Sequence, residues 1–347
     1  MKIDDTPVRE GHVYFIAEAG VNHNGDLRMA EQLIDVAAEA GANAVKFQTF
    51  SAERLVTKDA QTAEYQEETT DEDSQYEMLR RYELDRADHE RLMNYCSEKD
   101  ITFLSTPFDP ESATMLADLG VPAIKVGSGE LDNHPFLRHI SGLDLPMIVS
   151  TGMGTMKEVN DAYQAIKAAN SDTEMVFLHC TSSYPAAVED VNLRAMQTMA
   201  EELPVPVGYS DHTTRPETPA LAVAAGACVV EKHFTLDSLL PGPDHGSSLE
   251  PAELERCVEL VETATKVLGD REKRPVDAEM ETRTVSRKSL HAARDIEPGT
   301  TLSEADLKIV RPAEGLSPRK YNLALGKDSV NELSEDDPIT ENDIKSI

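Results

Sequence analysis

The chain is 347 residues long and carries 33 Lys plus Arg against 64 Asp plus Glu, a formal charge of −31. A field of that sign repels nucleic-acid backbones and anionic lipid surfaces, so neither is expected as a partner. The acidic residues run along the whole chain instead of forming a tail, a surface habit that suggests a salt-loving source. No stretch approaches the roughly 18 apolar residues of a membrane helix, and the start lacks a basic-then-apolar leader. A soluble, cytoplasmic protein is expected, with Cys96, Cys180, Cys228 and Cys257 far apart, free of any CxxC pair and kept reduced.

Short apolar runs rich in Val, Ile and Phe recur along the chain: VYFIAEAG (13–20), NAVKFQTF (43–50), ITFLSTPF (101–108), AIKVGSGE (123–130), PMIVSTGM (146–153), MVFLHCTS (175–182), PVGYSDH (206–212) and CVVEKHFT (228–235). Between them lie stretches of helical period, such as 27–41 and 215–227, and after the eighth comes 251–269, ending on Gly269. Alternating strand and helix signals predict α/β architecture, and eight such units in about 270 residues predict a (β/α)8 TIM barrel. A doubly wound open sheet would want a Gly-rich turn after the first strand, where Gly25 stands alone. Residues 51–84 are too long and polar for a minimal loop and are expected to cover or border a site.

Beyond Gly269 the charged segment 271–285 reads as a linker, separating a barrel domain (1–270) from a small turn-rich domain (286–347). That last domain contains an echo: LSEADLK (302–308) and ITENDIK (339–345) each place a Ser or Thr three residues before an Asp, the signature of a helix start.

In such a barrel the C-terminal strand ends open onto one mouth, where chemistry collects. Here polar residues gather at those ends: Glu18; Lys46 and Gln48; Ser105 and Thr106; Lys125, Ser128 and Glu130; Ser150 and Thr151; His179, Thr181 and Ser182; Ser210, Asp211 and His212; Glu231 and His233. A packed barrel was not expected to need so many for structure alone. Side-chain alternation puts Glu231 and His233 on one face of the eighth strand and turns Lys232 away. His212 closes the neighbouring strand, so two imidazoles can converge as ligands of a divalent cation, with positions open for water and substrate oxygens. Lys46 and Lys125, with the hydroxyls of Ser128, Ser150 and Ser210, suit a small phosphorylated or carboxylated substrate. Glu18, Glu130 and Asp244 are carboxylates placed to grip hydroxyls or move protons, Asp244 inside the Pro- and Gly-rich stretch PGPDHGSSLEP (241–251).

The stretches IAEAGVNHNGD, AVKFQTF, FLSTPFD, IKVGSGE, STGM, HCTSSYPA, GYSDHT, EKHFT and PGPDH resemble the sialic acid synthase family, the phosphoenolpyruvate-dependent synthases of nine-carbon keto sugar acids. The tail from RKSLHAARDI to IVRPAEGLSP resembles the SAF domain, a β-clip or antifreeze-like module. The resemblance implies condensation of phosphoenolpyruvate with an open-chain N-acylated amino sugar of the N-acetylmannosamine type, with release of phosphate. It implies that His212 and His233 bind the metal, Mn2+ in first place with Mg2+ or Co2+ as alternatives. It assigns Lys46, Thr106, Lys125, Ser128, Ser150, Ser182 and Ser210 to phosphoenolpyruvate, and Glu18, Gln48, Glu130, Tyr184 and Asp244 to the sugar and the reacting centre. It places Arg311 in the partner's site of a domain-swapped homodimer. Two departures stand out: Ser182 occupies a position where well-known bacterial members carry Asn, and Gly246 one where many carry Lys. Two other readings remain open, a Schiff-base aldolase using Lys125 or Lys46 and a non-catalytic sugar-binding protein.

Overall fold

Each of the eight apolar runs forms a strand, because residues two apart fall on one face of the pleat and both faces have something to bury. A computed structural model describes residues 1–9, 11–58 and 74–345. The strands are β1 (Tyr14–Gly20), β2 (Ala44–Thr49), β3 (Thr102–Pro107), β4 (Ile124–Val126), β5 (Met147–Ser150), β6 (Met175–Cys180), β7 (Val207–Asp211) and β8 (Val229–His233). Their order around the sheet is β3-β2-β1-β8-β7-β6-β5-β4, with every laddered neighbour parallel. The cylinder is nearly closed, and β3 and β4 are its unladdered edges.

Inside, the strand starts are apolar: Tyr14, Ile16, Ala44, Leu104, Ile148, Val176 and Val229 pack with Ile3 and Val8 of an N-terminal hairpin, which fills the lower end. Outside, helices cover the sheet. Helix α1 (Leu27–Glu39) is capped by Asp26, whose carboxylate accepts from the Arg28 N–H at 2.8 Å, and buries Ala30, Leu33, Ile34 and Ala37. Those positions, spaced by three and four, are one helical face. Further round the ring come α2 (Gln75–Tyr82), α3 (Arg86–Glu98), α4 (Pro110–Leu119), α5 (His134–Ser141), α6 (Met156–Ala169), α7 (Ala195–Glu202), α8 (Thr218–Ala224) and α9 (Pro251–Leu268). The four cysteines are free and buried. Among the described residues no helix is long and apolar enough to cross a membrane.

Burial pushes His23 and His245 down to about 4. In the fold these rings stay neutral at pH values where the unfolded chain, with imidazoles near 6.5, is already taking protons. Their contribution to stability is therefore whole above about pH 6.5 and is lost as pH falls towards about 4. The urea midpoint should decline over that window, and His23→Gln or His245→Gln should flatten the slope; an unaltered slope in both variants would contradict the buried neutral rings.

The chain divides into two units, Met1–Asp270 and Arg271–Ile347. The segment expected as a linker contains one short helix, α10 (Met280–Ser286), with Met280 and Val285 exposed. In the second unit β9 (Ser289–Ala292) pairs antiparallel with β10 (Leu307–Val310) over a core of Leu290, Ile296, Leu302, Leu333 and Ile339. The sequence echo folds as two equivalent turns. Ser303 and Asp306 exchange hydrogen bonds (Ser303 N–H to Oδ2, 2.8 Å), as do Thr340 and Asp343 (Thr340 N–H to Oδ2, 2.8 Å). Each opens only a three-residue 3-10 turn instead of the helix expected.

Candidate active site

Alternation sorts the polar strand ends into two sets. Glu18, Lys46, Gln48, Thr106, Lys125, Ser150, Ser210, His212, Glu231 and His233 line a cavity of about 470 Å³ at the C-terminal mouth. The others are structural, which corrects the expectation that so many polar ends serve chemistry. Thr49 Oγ1 sits 2.6 Å from Ser105 Oγ and 2.7 Å from His89 Nε2, on the outer face. His179 donates to the Val191 carbonyl at 2.7 Å, and Asp211 is sealed with Lys232 behind the barrel wall.

The floor of the cavity is a buried charge cluster. Lys46 Nζ lies 2.6 Å from Glu18 and 3.7 Å from Glu231, and donates to Thr106 Oγ1 at 2.8 Å. Lys125 Nζ lies 3.5 Å from Glu231 and donates to Ser150 Oγ at 2.7 Å. Ser210 Oγ donates to Glu231 Oε1 at 2.9 Å. Burial opposes the charge on Lys46, but Glu18 and Glu231 overcome it and hold the ammonium above its ordinary value. Lys125 has one close carboxylate, so burial prevails and lowers it. Burial raises Glu18, against Lys46 and with Glu231 adding to the rise. For Glu231 burial is outweighed by Lys125 and Lys46, and the carboxyl is held well below its usual range. Asp244, buried beside the same lysine, is pushed up to about 6.

On one flank the rings of His212 and His233 stand 5.3 Å apart between centroids, inclined at 73°. Tyr184 stacks on His212 at 4.1 Å. Burial lowers His212 to about 4 and His233 well below its ordinary value, so both are neutral at pH 7. His212 Nδ1 donates to the Thr181 carbonyl at 2.7 Å, which leaves the lone pair on Nε2.

Residues 33–273 match the NeuB family and residues 287–345 match the SAF domain. The chain belongs to the NeuB family. It is 48% identical over 317 residues to the N,N'-diacetyllegionaminic acid synthase of Legionella pneumophila, covering 90% of this chain and 89% of that one. It is 36% identical over 337 residues to the N-acetylneuraminate-9-phosphate synthase of Mus musculus, covering 96% and 93%. The crystal structure of the N-acetylneuraminic acid synthetase of Leptospira borgpetersenii, in complex with citrate, superposes with a TM-score of 0.70 at 36% identity, covering 78% of this chain and 90% of that one.

Within this NeuB barrel, Ser128, Ser182, Tyr184 and Asp244 also line the cavity. Glu130 lies one residue beyond lining Gly129 and accepts from Asn133 Nδ2 at 2.6 Å, and Arg311 is exposed on the second unit. Glu231 stands at the centre of the charge cluster, although sequence reasoning placed it at the strand end without giving it a task. Its signal was the two-residue spacing to His233. Of the long segment 51–84, residues 59–73 lie outside the described residues. Leu55, Met78, Leu79 and Tyr82 from the remainder pack with Val21 and Phe108 into an apolar wall of the cavity. Asp244 is fixed from behind: Ser248 Oγ donates to its carbonyl at 2.6 Å, and Asn22 Nδ2 donates to Ser248 Oγ at 2.9 Å.

The imidazole pair fits a divalent cation. Both rings are neutral, and His233 Nδ1 is buried with no hydrogen-bond partner, an orphaned lone-pair site that costs free energy unless something fills it. Among the described residues no cluster of three or more His, Cys, Asp or Glu forms a closed cage. The set is thus open, as a catalytic site requires.

Two hydroxyls and a glycine shape the other flank. Gly152 N–H donates to Ser128 Oγ at 3.0 Å, and a Cβ at Gly152 would lie 2.2 Å from Ser182 Oγ and 2.8 Å from Ser128 Oγ. Gly152→Ala should therefore splay both hydroxyls and raise KM for the anionic substrate about tenfold, the worth of one charge-assisted hydrogen bond, with KM for the sugar unchanged. Equal KM values for the anion would show that the hydroxyls do not bind it.

Proposed function

We propose that this chain is a phosphoenolpyruvate-dependent nonulosonate synthase. Carbon 3 of phosphoenolpyruvate bonds to the aldehyde carbon of an open-chain N-acyl amino sugar, whose oxygen takes up a proton. Water adds at carbon 2, the C–O bond to phosphorus breaks, and phosphate leaves with a nine-carbon 2-keto-3-deoxy acid. The observation that carries this reading is the pair of buried ammonium groups set beside two neutral imidazoles in a protein of charge −31.

Lys46, Lys125, Thr106 and Ser150 hold the carboxylate and phosphate ends of the small anion, joined by Ser128, Ser182 and Ser210. Glu18 and Asp244, with carboxyls raised by burial, carry protons close to neutral pH and serve to give or take them at the sugar and the reacting centre. Gln48, Glu130 and Tyr184 orient the acceptor, and Arg311 of a second subunit contacts its N-acyl group in a domain-swapped homodimer. His212 and His233 hold the divalent cation, Mn2+ in first place, which when bound supplies Lewis-acid polarisation of a carbonyl oxygen. The most similar of the relatives described above is named for a product with two N-acetyl groups. The apolar wall of Val21, Leu55, Met78, Leu79 and Phe108 offers surface for acyl and methyl groups, so a diacetamido acceptor without phosphate is favoured over N-acetylmannosamine or its 6-phosphate.

Mass spectrometry after mixing phosphoenolpyruvate with each of these three sugars tests the reading. The expected result is a product heavier than the sugar by the pyruvoyl unit, with stoichiometric phosphate. Absence of phosphate release with all three would sink it. The lowered pKa of Lys125 favours a second reading, imine formation; borohydride reduction in the presence of pyruvate would then leave a covalent adduct on Lys125, and chelator would not affect turnover.

A further inference from the structure

The ladder between β7 and β8 runs Val230 to Tyr209, Glu231 to Ser210 and Lys232 to Asp211, and stops. His212 and His233 come next, with no rung of their own between these two strands. At that last rung the outward-facing side chains form an ion pair. Lys232 Nζ lies 2.6 Å from Asp211 Oδ2, and both side chains are 0% exposed. The pair is fully dressed: Asp211 Oδ1 accepts from Tyr209 Oη and from the Thr213 N–H, each at 3.0 Å, Oδ2 accepts from Thr213 Oγ1 at 3.1 Å, and Lys232 also donates to the Thr213 carbonyl.

Nothing in the covering helices demands charge here, since α9 buries Leu254, Cys257, Val258 and Val261 on its inner face. A buried ion pair is commonly matched or bettered in stability by apolar residues of similar volume, because desolvating two charges costs more than their attraction returns. What an ion pair has and an apolar contact lacks is a fixed distance and direction. One residue past this clamp stand the two imidazoles, whose spacing decides whether both can reach one ion.

We propose that Asp211 and Lys232 are positioning residues that hold the ends of β7 and β8 in register behind the barrel wall, and so set the separation of His212 and His233 for a shared divalent cation. The proposal rests on the metal reading given above. It makes the pair an outer support of the ligands, touching neither substrate nor ion.

The test uses the full chain and Mn2+ alone, with free Mn2+ followed by electron paramagnetic resonance and stability followed by urea unfolding. Asp211→Asn and Lys232→Met each leave one buried charge unpaired and should lower the urea midpoint and weaken Mn2+ binding together. The double variant Asp211→Leu/Lys232→Met removes both charges; it should recover most of the midpoint while binding Mn2+ at least about tenfold more weakly, the usual effect of losing an outer-shell support. Tyr209→Phe, which keeps the ring and removes only the hydroxyl donated to Asp211, should weaken Mn2+ binding at near-native stability. Unchanged Mn2+ affinity in both the double variant and Tyr209→Phe would overturn the proposal and leave the pair a structural contact. If the parent protein itself binds no Mn2+, the metal reading fails and this inference with it, which the parent titration distinguishes from failure of the clamp.

Discussion

His212→Ala and His233→Ala should each cut turnover by about three orders of magnitude or more while leaving the urea midpoint close to the parent's. Lewis-acid stabilisation of developing charge is worth several kcal/mol, and about 1.4 kcal/mol corresponds to each tenfold in rate. The structural cost is small by comparison. Both rings face an open cavity, so truncation creates wetted space instead of a sealed void, and His212 gives up one hydrogen bond to the Thr181 carbonyl, worth about 1 kcal/mol. Relief of the unpartnered Nδ1 offsets part of the cost at His233. Steady-state kinetics with and without added Mn2+, read beside urea unfolding, check the claim. If either variant kept parental kcat after chelation, the imidazoles would have no part in the chemistry.

What could be read from the chain follows from how local each signal is. A two-residue period is a property of the strand alone, so VVEKHFT already states that Glu231 and His233 share a face and Lys232 opposes them, and the fold agrees. Caps are equally local: Ser303 with Asp306 and Thr340 with Asp343 close as their spacing predicts. Inward or outward orientation relative to the barrel is not local, because it depends on which face the neighbouring strands present. Ser105, His179 and Asp211 therefore read like mouth residues and prove to serve Thr49, Val191 and Lys232 on the outer face. The apolar wall was hidden for a related reason. The helix QYEMLRRY looks polar along its length, and only its seat against Val21, Phe50 and Phe108 turns Met78 and Tyr82 into lining. Glu231 shows the same limit in electrostatic form: its importance lies in being near two lysines that are 185 and 106 residues earlier in the chain, Lys46 and Lys125.

That placement gives Glu231→Gln a large expected effect. The amide still accepts from Ser210, so shape and that hydrogen bond survive, and only the charge is lost. Two buried ammonium groups would then share Glu18 alone, and leaving a buried charge short of its partner costs about 3 kcal/mol or more. The chain's cheapest escape is to deprotonate Lys125, which burial already lowers and which Glu231 chiefly holds up. Uncharged Lys125 grips an anion poorly, so kcat/KM for phosphoenolpyruvate should fall by about two orders of magnitude, in line with losing one charge-assisted contact and its field. The alkaline limb of the pH profile should move to lower pH than in the parent. The stability deficit has a definite sign as well. A lysine whose folded value lies below its unfolded value loses the fold stability as pH falls, since the unfolded chain takes the proton first. The gap between variant and parent should therefore narrow as pH rises from neutral towards about 9. An alkaline limb and a urea midpoint both equal to the parent's would mean that Lys125 keeps its charge without Glu231, and that the cluster is not the electrostatic unit its distances imply.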